Sequence, residues 1–223
     1  MSPRITARLA AAPPGWTARA DVIVVGSGVA GLTTAIHARD AGRTVLLVTK
    51  AQVNEGSTVW AQGGIAAALA DDDSPEEHLR DTLVAGAGLC DEDAVRVLVT
   101  QGPVALRRLI ALGARFDTDA TGAIALTREG GHHHDRIAHA GGDATGREIS
   151  RALVAAVAQD RGIELVENAL VLDLLLDDTG AAPVPSRWPA PMTCSVTPCA
   201  APVSSRSRSR TRAFSTSSMP RSC

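Results

Sequence analysis

The sequence predicts an α/β fold built on a Rossmann-like βαβ unit. Residues 20–26, ADVIVVG, form a short Val-rich run of the kind found in buried parallel strands. Residues 29–41 place apolar side chains at helical spacing, and residues 44–49, TVLLVT, form a second apolar run. Strand, helix and strand together occupy about 30 residues, which is the size of a βαβ unit.

Later elements are predicted from helix start and stop signals. Ser74 is the expected N-cap of a helix that reaches about residue 85, with Pro75 at its first position and Glu77 completing a capping box. A second capping box, Thr145 to Glu148, opens another helix. Two further helices are predicted over residues 91–101 and 103–112, followed by an irregular stretch over residues 114–144. Two strands are predicted over residues 163–168 and 170–176.

Composition argues against several function classes. The 223 residues carry a formal net charge of −2, which gives no support for nucleic-acid binding. No segment is apolar over the length that a bilayer requires, and the N-terminal apolar stretch is too short for a signal peptide. We therefore expect a cytoplasmic protein that binds neither nucleic acid nor a membrane.

The composition changes abruptly after Ala182. Residues 183–223 contain six arginines but no Asp, Glu or Gly, and they show no hydrophobic period. We predict an N-terminal extension over residues 1–19, one domain over 20–182, and a disordered basic Pro/Ser/Arg tail over 183–223. Two origins of the tail stay open. It is either a functional anion-binding tail or, as we favour, the product of a frameshift or truncation.

A glycine-rich turn joins the first predicted strand to the first helix. Gly26-Ser27-Gly28-Val29-Ala30-Gly31 matches G-x-G-x-x-G in the required strand–turn–helix context. Gly26 would allow the tight turn, Gly28 would let a pyrophosphate approach the backbone, and Gly31 would let helix and strand pack closely. The motif predicts dinucleotide binding at the helix N-terminus. The alternative is a turn with only a packing role.

Lys50, the only lysine in the chain, ends the second predicted strand. NAD enzymes place an acid there to hold the ribose hydroxyls, so the lysine argues against ordinary NAD recognition. We expect Lys50 near the adenosine or pyrophosphate part of a cofactor; the alternative is a lysine that faces solvent.

Several motifs, taken in order and spacing, resemble one family. They are DVIVVGSGVAGL, TK, EGSTVWAQGGIAAAL, DTLVAGAGLCDEDAV and LTREGGHHHDRIAHAGGDATGRE. Together they resemble the L-aspartate oxidase family, within the larger succinate dehydrogenase and fumarate reductase flavoprotein group, over about residues 20–182. The resemblance implies a Rossmann-like FAD-binding domain of the GR2 type, incomplete in this chain, with noncovalent FAD.

The resemblance also assigns the FAD contacts by match to the family motif. They are Gly26, Ser27, Gly28, Val29, Ala30, Gly31, Lys50, Ser57, Thr58, Val59, Trp60, Ala61, Gln62, Gly63 and Gly64. Gly63 and Gly64 would permit close approach to the isoalloxazine ring, while the loop's hydroxyl and amide groups would supply uncharged hydrogen bonds. In the succinate dehydrogenase branch a histidine joined covalently to FAD stands where this chain has Ser57, so the serine favours the oxidase branch.

Glu129 is the residue that the resemblance implies for substrate orientation. Dicarboxylate dehydrogenases have an apolar residue at this place. A carboxylate beside a dicarboxylate substrate is favourable only if the substrate also carries an ammonium group, which aspartate has and succinate lacks. The alternative is an ordinary surface-loop glutamate.

The segment after Glu129 is rich in His and Arg. Adjacent histidines such as His132, His133 and His134 point in different directions, and no Cys or acid cluster at ligand spacing joins them, so no metal site is predicted. His132 or His134 could line a substrate pocket, and His139 is expected to pack or hydrogen-bond locally. Arg128 and Arg136 could attract a dicarboxylate, or equally be solvated loop arginines.

The resemblance implies oxidation of L-aspartate to iminoaspartate in de novo NAD biosynthesis, with oxygen or fumarate as acceptor and quinolinate synthase as a candidate partner. The family's acid/base arginine and its clamping groups have no counterpart in this sequence, so we predict little or no activity for the chain alone. Two alternatives stay open. One is a fragment of a dicarboxylate dehydrogenase or fumarate reductase, for which Ser57 and Glu129 are the wrong residues, and the other is a noncatalytic nucleotide-binding module.

Overall fold

The computed structural model describes residues 16–171 and 192–196. The chain divides into two compact units, Met1–Gly56 with Val157–Cys223, and Ser57–Ala156. The two boundaries between these units, after Gly56 and after Ala156, both fall inside the single domain predicted over residues 20–182. Within the described part of the chain, none of the helices has the length and apolar character needed to cross a membrane.

Eight strands and four α-helices are described. In chain order they are β1 (Trp16–Ala20), β2 (Val22–Val25), α1 (Val29–Asp40), β3 (Val45–Val48), β4 (Ile65–Ala66), α2 (Pro75–Ala85), α3 (Glu92–Ala111), β5 (Leu126–Thr127), β6 (Ile137–Ala138), α4 (Thr145–Gln159), β7 (Ile163–Val166) and β8 (Met192–Val196).

A three-stranded parallel sheet forms the centre of the first unit. Its order is β2-β3-β7, and α1 connects β2 to β3, so the predicted βαβ unit is confirmed. All four residues of β3 are buried, as the unbroken apolar run predicts for a central parallel strand. Leu32, Ala35 and Ile36 form the buried face of α1.

The first unit also contains an antiparallel pair of strands that the sequence did not predict. β1 pairs with β8, with Trp16 opposite Val196, and Ala18 and Ala20 join the core cluster of Leu46 and Val166. β1 therefore begins before the predicted domain start at residue 20. For residues 192–196 the structure differs from the predicted disorder, because their backbone groups pair with β1. The rest of the tail, and the predicted strand beyond residue 171, lie outside the described residues.

The second unit contains a small antiparallel sheet of order β4-β6-β5. Ala138 of β6 lies opposite both Ile65 and Leu126. Residues 114–144, predicted to be irregular, thus include two short strands. The sheet places two segments of interest, because the loop over residues 57–64 leads into β4 and the segment with Glu129 connects β5 to β6.

Helix α2 begins and ends where the sequence predicts. The Ser74 hydroxyl accepts a hydrogen bond from the N–H of Glu77 at 3.1 Å, as an N-cap should. The reciprocal half of the capping box does not form. The N–H of Ser74 instead donates to Asp73 at 2.8 Å, and the Glu77 carboxylate accepts from Arg80 at 2.6 Å.

Helix α3 is continuous, so the predicted break before Pro103 is wrong. Its buried residues are Val95, Val99, Pro103 and Leu106, spaced three or four apart, which gives one apolar face that runs through the proline. Val95 and Val99 pack in a cluster with Leu79 of α2. Packing along this face outweighs the hydrogen bond that Pro103 cannot donate.

The second predicted capping box, at the start of α4, is also wrong. Thr145 is the first residue of the helix, and its hydroxyl accepts the N–H of Ala140 at 3.1 Å. Glu148 accepts the N–H of Arg115 at 2.7 Å. Both side chains therefore anchor preceding loops onto α4. Ile149 and Leu153, four positions apart on one face of the helix, are buried.

Candidate functional site

The glycine-rich turn of the first unit has the geometry that its sequence predicts. Gly26 has φ +104°, which side chains other than glycine rarely adopt. A Cβ on Gly31 would overlap the carbonyl oxygen of Gly26. Gly28 is the N-cap of α1, with φ −70° and ψ 176°, and as a glycine it has no side chain that could cap the helix. A glycine at this place leaves room for a phosphate to approach the start of the helix, where negative charge is favoured.

The turn is anchored to the end of β3. The N–H of Gly26 donates to the carbonyl of Val48 at 2.7 Å. The hydroxyls of Ser27 and Thr49, both buried, lie 3.0 Å apart. Lys50 follows directly and is exposed. Within the first unit the structure therefore brings the turn and the end of β3 together, as the sequence predicts.

The loop over residues 57–64 belongs to the second unit and begins with a 3₁₀ turn, Ser57–Trp60. Its shape is fixed by the start of α4. The N–H of Gly146 donates to the carbonyl of Ala61 at 3.0 Å, and a Cβ on Gly146 would overlap the carbonyl oxygen of Thr58. The side of the loop that Trp60 occupies is open, because that residue is 76% exposed.

The two glycines that end this loop differ in their surroundings. A Cβ on Gly63 would meet nothing within 4 Å, whereas a Cβ on Gly64 would lie 2.7 Å from the carbonyl oxygen of Ala138 and 3.0 Å from the His139 ring. Packing against β6 and His139 is therefore sufficient reason for glycine at position 64. Only Gly63 has open space around it.

Glu129 lies on the connection from β5 to β6, with its side chain 58% exposed. His139 lies beside it, with Nε2 3.8 Å from a Glu129 oxygen and 3.0 Å from the Thr127 hydroxyl. The predicted local hydrogen bonding of His139 is confirmed. A Cβ added to Gly64 would lie 3.0 Å from the same ring, so the end of the 57–64 loop and Glu129 both lie near one imidazole.

Arg136 closes the base of this connection and is completely buried. Its Nε and Nη2 donate to the two oxygens of Asp73 at 2.6 and 2.8 Å, and its Nη1 donates to Asp81 at 2.5 Å. Both sequence interpretations of Arg136 are therefore wrong. Its guanidinium is neither solvated nor free for a dicarboxylate, because two carboxylates of the protein already occupy it.

These contacts shift the acid–base behaviour of the group. Burial alone would raise the pKa of Asp73 and of Asp81, but hydrogen bonds from Arg136 and from backbone N–H groups outweigh it and hold both pKa values below the ordinary 3.8. The hydrogen bond from Arg136 to Asp73 raises the pKa of Arg136. All three groups are charged near neutral pH.

The histidines complete this network. His133 donates its backbone N–H to Asp81 at 3.0 Å and places Nδ1 2.5 Å from the same carboxylate. His132 Nδ1 lies 3.1 Å from Arg136 Nη1. The described residues contain no group of three or more side chains that could hold a metal ion. His132 and His133 therefore fix the loop internally.

The network, which we call the Arg136 network, comprises Asp73, His78, Asp81, His132, His133 and Arg136. It holds the end of the Glu129 connection against α2, and the N–H of Arg136 closes the connection by donating to Thr127 at 3.0 Å. The sequence analysis does not identify Asp73 or Asp81. No local pattern marks them, since their partners lie more than 50 positions away.

Residues 21–212 match the family model described as FAD binding domain. The chain belongs to this family. The prediction of FAD as the cofactor is thereby confirmed, and the glycine at the N-cap of α1 together with the close packing at Gly31 fits it. The Rossmann-like fold class is confirmed as well.

The resemblance to L-aspartate oxidases is confirmed by sequence. The chain is 68% identical over 173 residues to the L-aspartate oxidase of Streptomyces coelicolor, covering 78% of this chain and 30% of that protein. It is 51% identical over 160 residues to the chloroplastic L-aspartate oxidase of Arabidopsis thaliana, covering 72% of this chain and 24% of that protein. The chain thus spans less than a third of the length of these relatives.

Solved structures show the same fold. A Mycobacterium smegmatis Sdh1 complex in the apo form superimposes with a TM-score of 0.67 at 33% identity, covering 71% of this chain and 29% of that one. A quinol–fumarate reductase with menaquinol molecules gives a TM-score of 0.67 at 34% identity, covering 71% and 28%. The fold is therefore shared by proteins with different names, and the choice of function among them depends on individual residues.

Proposed function

We propose that this chain carries the FAD-binding part of an enzyme that oxidises L-aspartate to iminoaspartate, with oxygen or fumarate as acceptor, in de novo NAD biosynthesis. The observation that carries the proposal is the exposed carboxylate of Glu129. This residue lies on the β5–β6 connection, which the buried ion pairs of Arg136 with Asp73 and Asp81 hold in place. The identity to proteins named L-aspartate oxidase supports it. Quinolinate synthase as a partner and the cytoplasmic location stay predictions.

The proposed FAD contacts are the turn over residues 26–31, Lys50 and the loop over residues 57–64. In the first unit, Gly28 at the N-cap of α1 suits a pyrophosphate, because it adds no side chain and a negative charge is favoured at a helix N-terminus. In the second unit, exposed loop residues such as Gln62 and Gly63 can offer polar groups and bare backbone. The cofactor, when bound, supplies the hydride acceptor.

Glu129 is the proposed selector for the substrate ammonium. Its carboxylate is exposed, and its one ionisable neighbour, among the described residues, is His139 at 3.8 Å. A carboxylate fixed in place attracts the ammonium of aspartate and repels a dicarboxylate that lacks one. Arg136 has no part in binding the substrate carboxylates, since it is buried and paired.

A dicarboxylate dehydrogenase or fumarate reductase is the second candidate, because the solved neighbours carry such names. Ser57 and Glu129 argue against it. A serine cannot form the covalent flavin link that the resemblance implies for the succinate dehydrogenase branch, and a carboxylate at position 129 disfavours succinate.

FAD binding is tested by titrating the purified chain with FAD and following flavin fluorescence. Gly28→Ala is compatible with φ −70°, and its methyl group should obstruct the pyrophosphate; circular dichroism of the variant checks that the fold is retained. We expect FAD affinity to fall by about tenfold or more. Gly102→Ala is the matched control, because the added Cβ would meet only ordinary contacts at 3.8 Å or beyond. Equal affinities for the two variants would contradict the assignment of Gly28.

Activity is tested as peroxide release from L-aspartate, for the FAD-loaded chain and for the same chain continued to the length of its Streptomyces relative. We expect turnover in the continued form and little or none in the chain alone. In the continued form, Glu129→Gln should lower kcat/KM for aspartate by about tenfold or more because the charged hydrogen bond to the ammonium is lost. Glu76→Gln, an exposed helix residue, is the control. Turnover of succinate at the rate of aspartate would contradict the proposal.

A further inference from the structure

A pocket of about 350 Å³ lies in the second unit, between the segment that follows α3 and the first turns of α4. Three arginines line it, Arg115, Arg147 and Arg151, together with Glu148. Its remaining lining is small, from alanine and glycine within residues 140–144. None of these residues belongs to the proposed flavin or substrate contacts.

The charges in this pocket do not cancel. Glu148 is the one acid among its lining residues, and Arg151 already neutralises it through a two-pronged contact at 2.7 and 2.8 Å. The hydrogen bond from Arg151, opposed by burial and supported by the N–H of Arg115, lowers the pKa of Glu148, so the carboxylate stays ionised. Arg115 and Arg147 are then left over, and the pocket keeps two net positive charges.

The two remaining guanidinium groups are available to a ligand. Within the described residues, the side-chain nitrogens of Arg115 and Arg147 make no hydrogen bond or ion pair, and Arg115 acts on Glu148 only through its charge and its backbone N–H. Both residues are exposed, and both line the pocket. Arg151, by contrast, is fixed by Glu148 and by the carbonyl of Gly113 at 2.6 Å.

Rigid support surrounds these groups. The Arg115 backbone is tied to α4 through Glu148 at 2.7 Å. The backbone N–H groups of Gly141 and Gly142 donate to Asp117 at 2.9 and 3.2 Å, which holds this wall in place. The residues of the wall that line the pocket, Ala140, Gly141 and Ala144, have small side chains, so an anion could approach both arginines at once. Bidentate guanidinium groups recognise phosphate and carboxylate oxygens especially well.

We propose that this pocket binds a small anion with two or more negative charges, of phosphate or polycarboxylate chemistry. The site is separate from flavin binding and does not depend on the proposed function. Arg115 and Arg147 supply the binding charge, and the Glu148–Arg151 pair positions them. An ordinary solvated surface would show no saturable binding.

The test is an NMR titration of the ¹⁵N-labelled chain with inorganic phosphate and, separately, with citrate, in a buffer of low ionic strength. We expect saturable shifts confined to residues near Gly141 and the first turns of α4, including the arginine side-chain N–H signals. Added salt should weaken binding, because exposed charges are screened over about 10 Å at 0.1 M. Binding of one anion but not the other assigns the ligand to that class.

Arg115→Gln with Arg147→Gln should weaken binding by about tenfold or more. Arg147→Lys keeps the positive charge but loses the planar guanidinium that can donate two hydrogen bonds to one anion. It should therefore weaken binding less than the double substitution. The matched control is Arg107→Gln with Arg161→Gln, which removes the same charge from exposed positions elsewhere. No saturable shift up to about 10 mM anion, or equal weakening by the control pair, would overturn the proposal.

Discussion

The glycine-rich turn of the first unit and the Glu129 connection of the second are held in opposite ways. The turn is defined by backbone, through the positive φ of Gly26 and the absence of a Cβ at Gly31. The connection is defined by charged side chains, through Arg136 and its carboxylate partners. We therefore expect the turn to tolerate a change of charge but not a larger side chain. We expect the connection to tolerate a change of side-chain size but not a loss of charge.

The difference also explains which segment could be predicted from sequence. The glycines of the turn act on neighbours a few residues away, so a short motif records their role. Arg136 binds Asp73, which lies 63 positions earlier, and Asp81, which lies 55 positions earlier. Only the folded chain shows that such residues meet.

Removing the charge of Arg136 should have the largest effect. Arg136→Met leaves Asp73 and Asp81 buried without a counter-charge, and we expect the free energy of unfolding to fall by about 3–5 kcal/mol. Urea denaturation measures it, and loss of soluble protein is the extreme form of the same result. Arg128→Met is the control, because Arg128 and Asp135 form an exposed pair worth about 1 kcal/mol or less. Equal losses for both variants would mean that the network does not hold the connection.

Adding a methyl group to the turn should have the next largest effect. Gly31→Ala would place Cβ onto the Gly26 carbonyl, so the backbone must shift. We expect a loss of about 1–3 kcal/mol in the free energy of unfolding, although alanine is otherwise the better helix former. Gly63→Ala, in open space, should change stability by about 0.5 kcal/mol or less. An unchanged Gly31→Ala protein would show that the turn adapts freely.

Mild acid should destabilise the Arg136 network but not the glycine-rich turn, and this effect should be smaller than those of the two substitutions. Burial, and then the charge of Arg136, lowers the pKa of His78 from its ordinary 6.5. As the pH falls below 6.5, His78 is therefore protonated more fully in the unfolded chain than in the folded chain, and the free energy of unfolding falls. Above pH 6.5 His78 is neutral in both states and does not change the free energy of unfolding. The lowered pKa values of Asp73 and Asp81 keep their stabilisation intact until the pH drops below about 3.8.

His78→Gln should flatten this dependence between about pH 7 and 5, as measured by urea denaturation at each pH. The unsubstituted protein, measured at the same pH values, is the reference. An identical slope in both proteins would show that His78 is not the group that titrates.

Sequence reasoning succeeded where local chemistry decides the outcome. The bounds of α2, the βαβ unit and the turn at Gly26 were predictable because caps, apolar runs and glycines act over short distances. It failed where packing overrides a local signal. Pro103 should end a helix, but a buried face carries α3 through it. Thr145 and Glu148 form a capping-box pattern, yet both bind loops from elsewhere in the second unit.

The contact between Gly146 and the 3₁₀ turn at Thr58 has a practical consequence for protein engineering. The conformation of residues 57–64 depends on α4, which lies far away in the chain, because any side chain at position 146 would collide with the Thr58 carbonyl. Transplanting that loop into another scaffold, or exchanging it between homologues, would therefore require the recipient to offer a bare helical residue at the matching place.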